Sequence, residues 1–267
     1  MNETLIRSLS GLVYVLILLL ATLLSRESFL LLFGLFMLQT VREFANLIHL
    51  PQTLALIASG LIFINFAVFA TPLWVDMVVI VFSIVILILL MLWLFSKNQA
   101  PFKHSGWITL TGYIAFPFVC LTKLPILDSQ FIPSIIIAIF ILIWTNDTFA
   151  YLIGKSFGKN KLFERISPKK TIEGFLGGLL FAIIAGVIIS MYYVPIFSVL
   201  TWMVIAVVTS VFGTIGDLVE SKFKRMANVK DSGRIMPGHG GILDRLDSII
   251  FVAPFVFILF KILEYVS

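Results

Sequence analysis

Long apolar stretches almost free of charge limit this chain more than any other feature. Residues 11–25 and 75–96 are the clearest. Runs of this length match the hydrocarbon layer of a bilayer, which needs about 20 apolar residues per helix. Within hydrocarbon every backbone N–H and C=O must find a partner in the protein, so spanning elements are helices or closed barrels. The runs are continuous rather than alternating, which selects helices. With 60% hydrophobic and 12% charged residues, the 267-residue chain is excluded from the soluble globular class, where about a quarter of residues are charged. The single cysteine, Cys120, lies in an apolar run, forms no intrachain disulfide or cysteine metal cluster, and reads as packing. The first run follows Arg7, lacks a small-residue cleavage site, and is long enough to be a retained first helix.

Hydropathy places spans at 6–25, 28–48, 53–70, 73–95, 106–127, 131–153, 174–194, 197–219 and 248–265. The expected fold is an all-α polytopic integral membrane protein of about nine transmembrane helices. Short connectors carry Pro51, Pro72 and Pro195, as helix ends do. Two connectors are long, 154–173 and 220–247, and together they hold twelve of the 19 basic residues. Two spans separate these loops, so both lie on one face, and the positive-inside rule makes it the cytoplasmic one. Counting back, Arg7, Arg42, Lys97 and Lys103 join them, leaving Arg26, Lys123 and Lys261 outside. The expected orientation is N-terminus cytoplasmic and C-terminus outside. Residues 1–103 read as N-terminal transmembrane helices, and 104–267 as a catalytic transmembrane region carrying both loops.

Orientation explains lysines and arginines; it does not explain acids placed among them. Asn146 and Asp147 fall inside the sixth span, where an ionisable residue points to function. Ser167 and Pro168 read as a helix start, with Thr171, Glu173 and Gly174 leading into the seventh span. Free N–H groups there, beside Lys169 and Lys170, would suit a triphosphate; an ordinary capped helix fits that spacing equally well. Asp217, Ser221, Lys224 and Arg225 share one helical face at the end of the eighth span, as a salt bridge or as part of a cation site. Asp244 and Asp247, at i and i+3, enter the ninth span behind Gly238, His239, Gly240 and Gly241. Glycines there let backbone approach a ligand closely, and His239 could touch phosphate or titrate. Oxygen ligands without cysteine suit Mg2+ rather than zinc. Carboxylates, a hard cation and surrounding Lys and Arg are the components of transfer at phosphorus.

These residues resemble a known family. Ser221-x-x-Lys224-Arg225, Lys230-Asp231-x-Gly233 and Pro237-x-His239-Gly240-Gly241-x-x-Asp244-Arg245-x-Asp247 are similar to the motif of the phosphatidate cytidylyltransferase (CDP-diacylglycerol synthase) family. Met236 stands where that family has Leu, Ile or Phe. NDTFAYLIGKSFGK and SPKKTIEG match its cytoplasmic segments in order, so the likeness covers about 145–248. It implies that CTP and phosphatidate give CDP-diacylglycerol and pyrophosphate at the inner leaflet of a bacterial inner membrane, in a homodimer whose active site faces the cytoplasm. It also implies a metal centre on Asp217 and Asp244, with Mg2+ and with K+ as a second cation. Asp247 and Asp147 are then further ligands or lie just behind. Lys169, Lys170, Lys224 and Arg225 would neutralise phosphates. Asn146, Ser167, Thr171, Glu173, Ser221, Lys230, Asp231, His239, Gly240, Gly241 and Arg245 complete the expected substrate contacts. No nucleic acid is expected as a partner. Two rival readings are a CTP-dependent lipid-alcohol (polyprenol-type) kinase and an anionic-solute transporter. The second would show repeated broken helices at the midplane, and no repeat is visible.

Overall fold

The computed structural model describes residues 3–97 and 105–266. Lys103 and the 103/104 boundary therefore lie outside the described residues. The helices are α1 (Glu3–Leu24), α2 (Arg26–Leu47), α3 (Gln52–Phe63), α4 (Leu73–Phe95), α5 (Gly106–Leu110) and α6 (Phe116–Lys123). They continue with α7 (Pro133–Phe157), α8 (Ile172–Tyr192), α9 (Val199–Met226) and α10 (Leu243–Val266). Two antiparallel hairpins interrupt them: β1 (Ile126–Leu127) with β2 (Gln130–Phe131), and β3 (Lys161–Phe163) with β4 (Ser167–Thr171). Among the described residues, seven helices are long and apolar enough to cross a membrane, and 52–68 is a shorter apolar one. The chain is thus mostly helical and an integral membrane protein.

Local chemistry sets the helix ends. Ser25 and Ser28 form a capping box that turns the chain sharply between α1 and α2. Thr171 accepts from the Gly174 N–H to start α8, and Ser198 accepts from Thr201 to start α9. Between α5 and α6 the helix widens into a π-turn, Thr111–Ala115, just before Pro117. Proline has no N–H to give the preceding turn, so the ladder must change there.

One expectation is corrected. Ser167 and Pro168 do not start a helix: they open strand β4, paired back onto β3 through Phe163–Ser167 and Lys161–Thr171. A proline is tolerated at the start of an edge strand, and the true helix signal is Thr171, four residues later than expected.

Successive helices α7, α8, α9 and α10 pack side by side, and α10 also touches α2, α4 and α6. Glycines allow the closest approaches. A Cβ on Gly178 of α8 would lie 2.6 Å from the Asn146 carbonyl of α7, and one on Gly216 of α9 would lie 2.6 Å from Phe251 Cβ of α10. A buried aromatic group (Phe44, Trp93, Tyr113, Phe223 and Phe251) fills the centre below the charged end. Helix α1 is the least covered, presenting Leu9, Leu12, Leu16, Leu20 and Leu24 outward, as a lipid-facing helix does.

Candidate active site

Helices α7, α9 and α10, with strand β4, bring their acids and cations to one end of the bundle. Two cavities open there. The larger, about 710 Å³, is walled by Asn146, Asp147, Lys155, Lys161, Lys169, Lys170 and Thr171 on one side. Asp217, Lys224, Asp231, Asp244, Arg245 and Asp247 form the other. The smaller, about 240 Å³, reaches between α1, α7 and α10 and is lined by Tyr14, Val15, Phe140, Ile143, Trp144 and His239. The two share Asp147, Asp244, Arg245, Asp247 and Ser248. A lysine-rich chamber and one of mixed apolar and polar lining therefore meet at the carboxylates of Asp147, Asp244 and Asp247.

The carboxylates of Asp217, Glu220 and Asp247 each offer an oxygen within 4.8 Å of the others. Asp217 and Glu220 are at i and i+3 on α9, so one helical face carries both. Glu220 is 1% exposed, and Lys224 Nζ stands 2.5 Å from its Oε2 as an ion pair. A buried acid balanced by one lysine, beside two more acids, is a donor set for a hard divalent cation. Glu220 was not singled out from the sequence, although its spacing from Asp217 was there to be seen.

Asp244 is engaged differently. Its Oδ2 accepts from the backbone of Ser232 at 2.9 Å and Gly241 at 2.7 Å, and its Oδ1 meets Lys224 Nζ at 2.6 Å. Lys224 thus bridges Glu220 and Asp244 across two helices. Opposite, Lys170 reaches from β4 to Asp217 at 2.5 Å. Burial works to lower the Lys170 pKa, but Asp217, joined by Asp147 and Asp247, outweighs it and the ammonium is held above its ordinary range.

The glycine-rich loop is fixed from several sides. Gly240 has φ +85°, and a Cβ there would lie 2.4 Å from Asp244 Oδ2, so only glycine fits. Ser10 Oγ of α1 lies 2.8 Å from His239 Nδ1 and 2.9 Å from the Pro237 carbonyl. Partial burial, then Arg245 and Arg7, push the His239 pKa down.

Several expected site residues stand outside both chamber walls. Glu173 accepts from the Lys159 and Asn160 N–H groups and holds the turn before β3. Arg225 donates to the Val229 carbonyl at 3.2 Å, closing the end of α9. Ser221 donates to Asp217 Oδ1 at 3.2 Å and so touches the site through that acid. Ser167, Lys230, Gly240 and Gly241 shape or flank the loops rather than line the chambers. Lys222, counted among the basic loop residues, is buried instead. It donates to the carbonyls of Trp93 and Ser96 and sits 4.1 Å from the Trp93 ring, capping α4.

The model of the Cytidylyltransferase family matches residues 5–263. The chain belongs to the cytidylyltransferase family. Among relatives of this cytidylyltransferase, the phosphatidate cytidylyltransferase of Staphylococcus aureus (strain COL) is 41% identical over 222 residues, 80% of this chain and 82% of the relative. That of Bacillus subtilis (strain 168) is 43% identical over 175 residues, 65% of each chain. That of Staphylococcus saprophyticus is 43% identical over 175 residues, 64% of this chain and 65% of the relative.

Proposed function

We propose that this cytidylyltransferase joins CTP to phosphatidate, giving CDP-diacylglycerol and pyrophosphate. The observation that carries the reading is the meeting of a lysine-rich chamber with one of mixed apolar and polar lining at Asp147, Asp244 and Asp247, with Asp217 and Glu220 grouped beside Asp247. Reaction between a polar nucleotide and a bilayer lipid needs both surfaces around one reacting centre. In this reading the triphosphate lies along Lys169, Lys170, Lys224 and Arg245, whose charges offset its own. The phosphatidate headgroup enters the smaller chamber beside His239 and Arg245, with acyl chains left in the bilayer.

A lipid phosphate oxygen attacks the α-phosphorus of CTP. The bond to the bridging oxygen breaks and pyrophosphate leaves. The lipid phosphate is already ionised, so no general base is required. Asp217, Glu220 and Asp247 would hold Mg2+, with K+ as a second cation; Asp244 and Asp147 complete the acidic ring. Bound there, the metal would polarise the α-phosphate and offset charge on the leaving group. The chain's own residues orient the two phosphates and keep the acids convergent. Nine spans with the site facing the cytoplasm, and a homodimer, belong to the same reading.

The test is incubation of purified protein with phosphatidate and cytidine-labelled CTP, with and without Mg2+. Label should enter the lipid phase only with the metal, with pyrophosphate released in equal amount. Release of CDP with no label in lipid would instead mean γ-phosphate transfer and would reject the reading.

A further inference from the structure

Glu43 belongs to α2, almost 200 residues away from the motif, and yet it is built into it. It is 3% exposed. Its carboxylate accepts from the backbone N–H groups of Ile242 at 3.1 Å and Leu243 at 2.9 Å, where α10 begins. Ser232 Oγ lies 3.0 Å from its Oε2, and Gln39 Nε2 donates to its Oε1 at 2.8 Å. The fit is tight: a Cβ on Gly241 would lie 2.3 Å from Glu43 Oε2, and one on Gly233 would lie 2.6 Å from Oε1. Two of the motif's glycines are thus required by this acid rather than by substrate.

We infer that Glu43 is a positioning residue for the transfer reaction: it clamps the first turn of α10 so that Asp244 and Asp247 face the chamber. The inference rests on the reading proposed above. The N–H groups at a helix start need acceptors and attract negative charge. Here Asp244 takes Gly241, and Glu43 takes the next two. Asp244 and Asp247 sit within the first turn of α10 and just beyond, so a small rotation of that turn redirects both carboxylates. Asp244 cannot replace Glu43, since its Oδ2 is already filled by Ser232 and Gly241.

The full-length protein is compared with Glu43→Gln, which keeps the shape and one acceptor, and Glu43→Ala. Ser198→Ala, which removes the cap at the far end of α9, is the control for simple loss of stability. In Glu43→Gln the backbone amides of 232–243 should exchange faster. Its kcat should fall about tenfold while the KM for CTP changes by less than about twofold, the pattern for loss of a charge-assisted bond that orients the reacting groups. Ser198→Ala should lower the Tm and leave kcat unchanged. A Glu43→Gln kcat within about twofold of wild type overturns the inference, as does slowed turnover with unaltered amide exchange. So does an equal kcat loss in Ser198→Ala. If Glu43→Ala does not fold, Glu43→Gln alone decides. Failure of the wild-type protein to form any CDP-lipid would reject the underlying reaction instead, and the exchange measurement would still report on the clamp.

Discussion

In the proposed reading, single residues divide into those that meet phosphate and those that hold others in place. Lys170 is of the first kind, tied to Asp217 and facing the larger chamber. Lys170→Met should raise the KM for CTP about tenfold or more, because a charge-assisted contact to phosphate is lost; steady-state kinetics at fixed phosphatidate checks it. His239 gives a pH prediction. Its folded pKa lies below the ordinary histidine value, so the unfolded chain takes up the proton first as the medium acidifies. The stability it contributes is present above about pH 6.5 and is lost as pH falls through the lower folded value. Thermal unfolding between pH 7.5 and 5.5 should therefore show a slope in the wild type that is shallower in His239→Gln. Asp217, Asp244 and Asp247 could be read from motif spacing alone. Glu43 could not, because an acid near the end of a span signals function but names no partner, and its partners lie at the other end of the chain.

At the level of elements, helix-to-helix distance governs the geometry of the acids. Gly178→Ala would press on the Asn146 carbonyl and side chain, moving the stretch of α7 that presents Asp147. Activity should fall severalfold with Tm lowered, overpacking being worth about 1–3 kcal/mol. Gly216→Ala meets Phe251 and the Asp247 carbonyl, so it should lower Tm similarly and, if the acids hold Mg2+ as proposed, raise the Mg2+ concentration for half-maximal turnover, which titration of turnover against metal would measure. The long helices were legible because charge-free runs leave little choice of structure. Strand β4 was not: Ser-Pro resembles a helix start locally, and only pairing with β3, a contact outside its own sequence window, makes it a strand. The place of Lys222 was not legible for a related reason. A basic residue beside a basic loop looks solvated, whereas its burial against α4 depends on the carbonyls of Trp93 and Ser96.

For the whole molecule, charge asymmetry and the common end of α7, α9 and α10 point to one orientation. Cys120 is fully buried, so single added cysteines report cleanly. Lys159→Cys should react with a membrane-impermeant maleimide only from the cytoplasmic side, and Gln130→Cys, in the β1–β2 hairpin, only from outside; the opposite pattern would invert the topology. The bond from Glu43 to the start of α10 also bears on how the enzyme is made. Ribosomes deliver α2 to the membrane early and α10 last. Until α10 arrives, the carboxylate that grips it has no backbone N–H to receive. The pocket therefore cannot be finished on a partly synthesised chain: before α10 is made, Glu43 keeps only Gln39 and Ser232 of the partners described above.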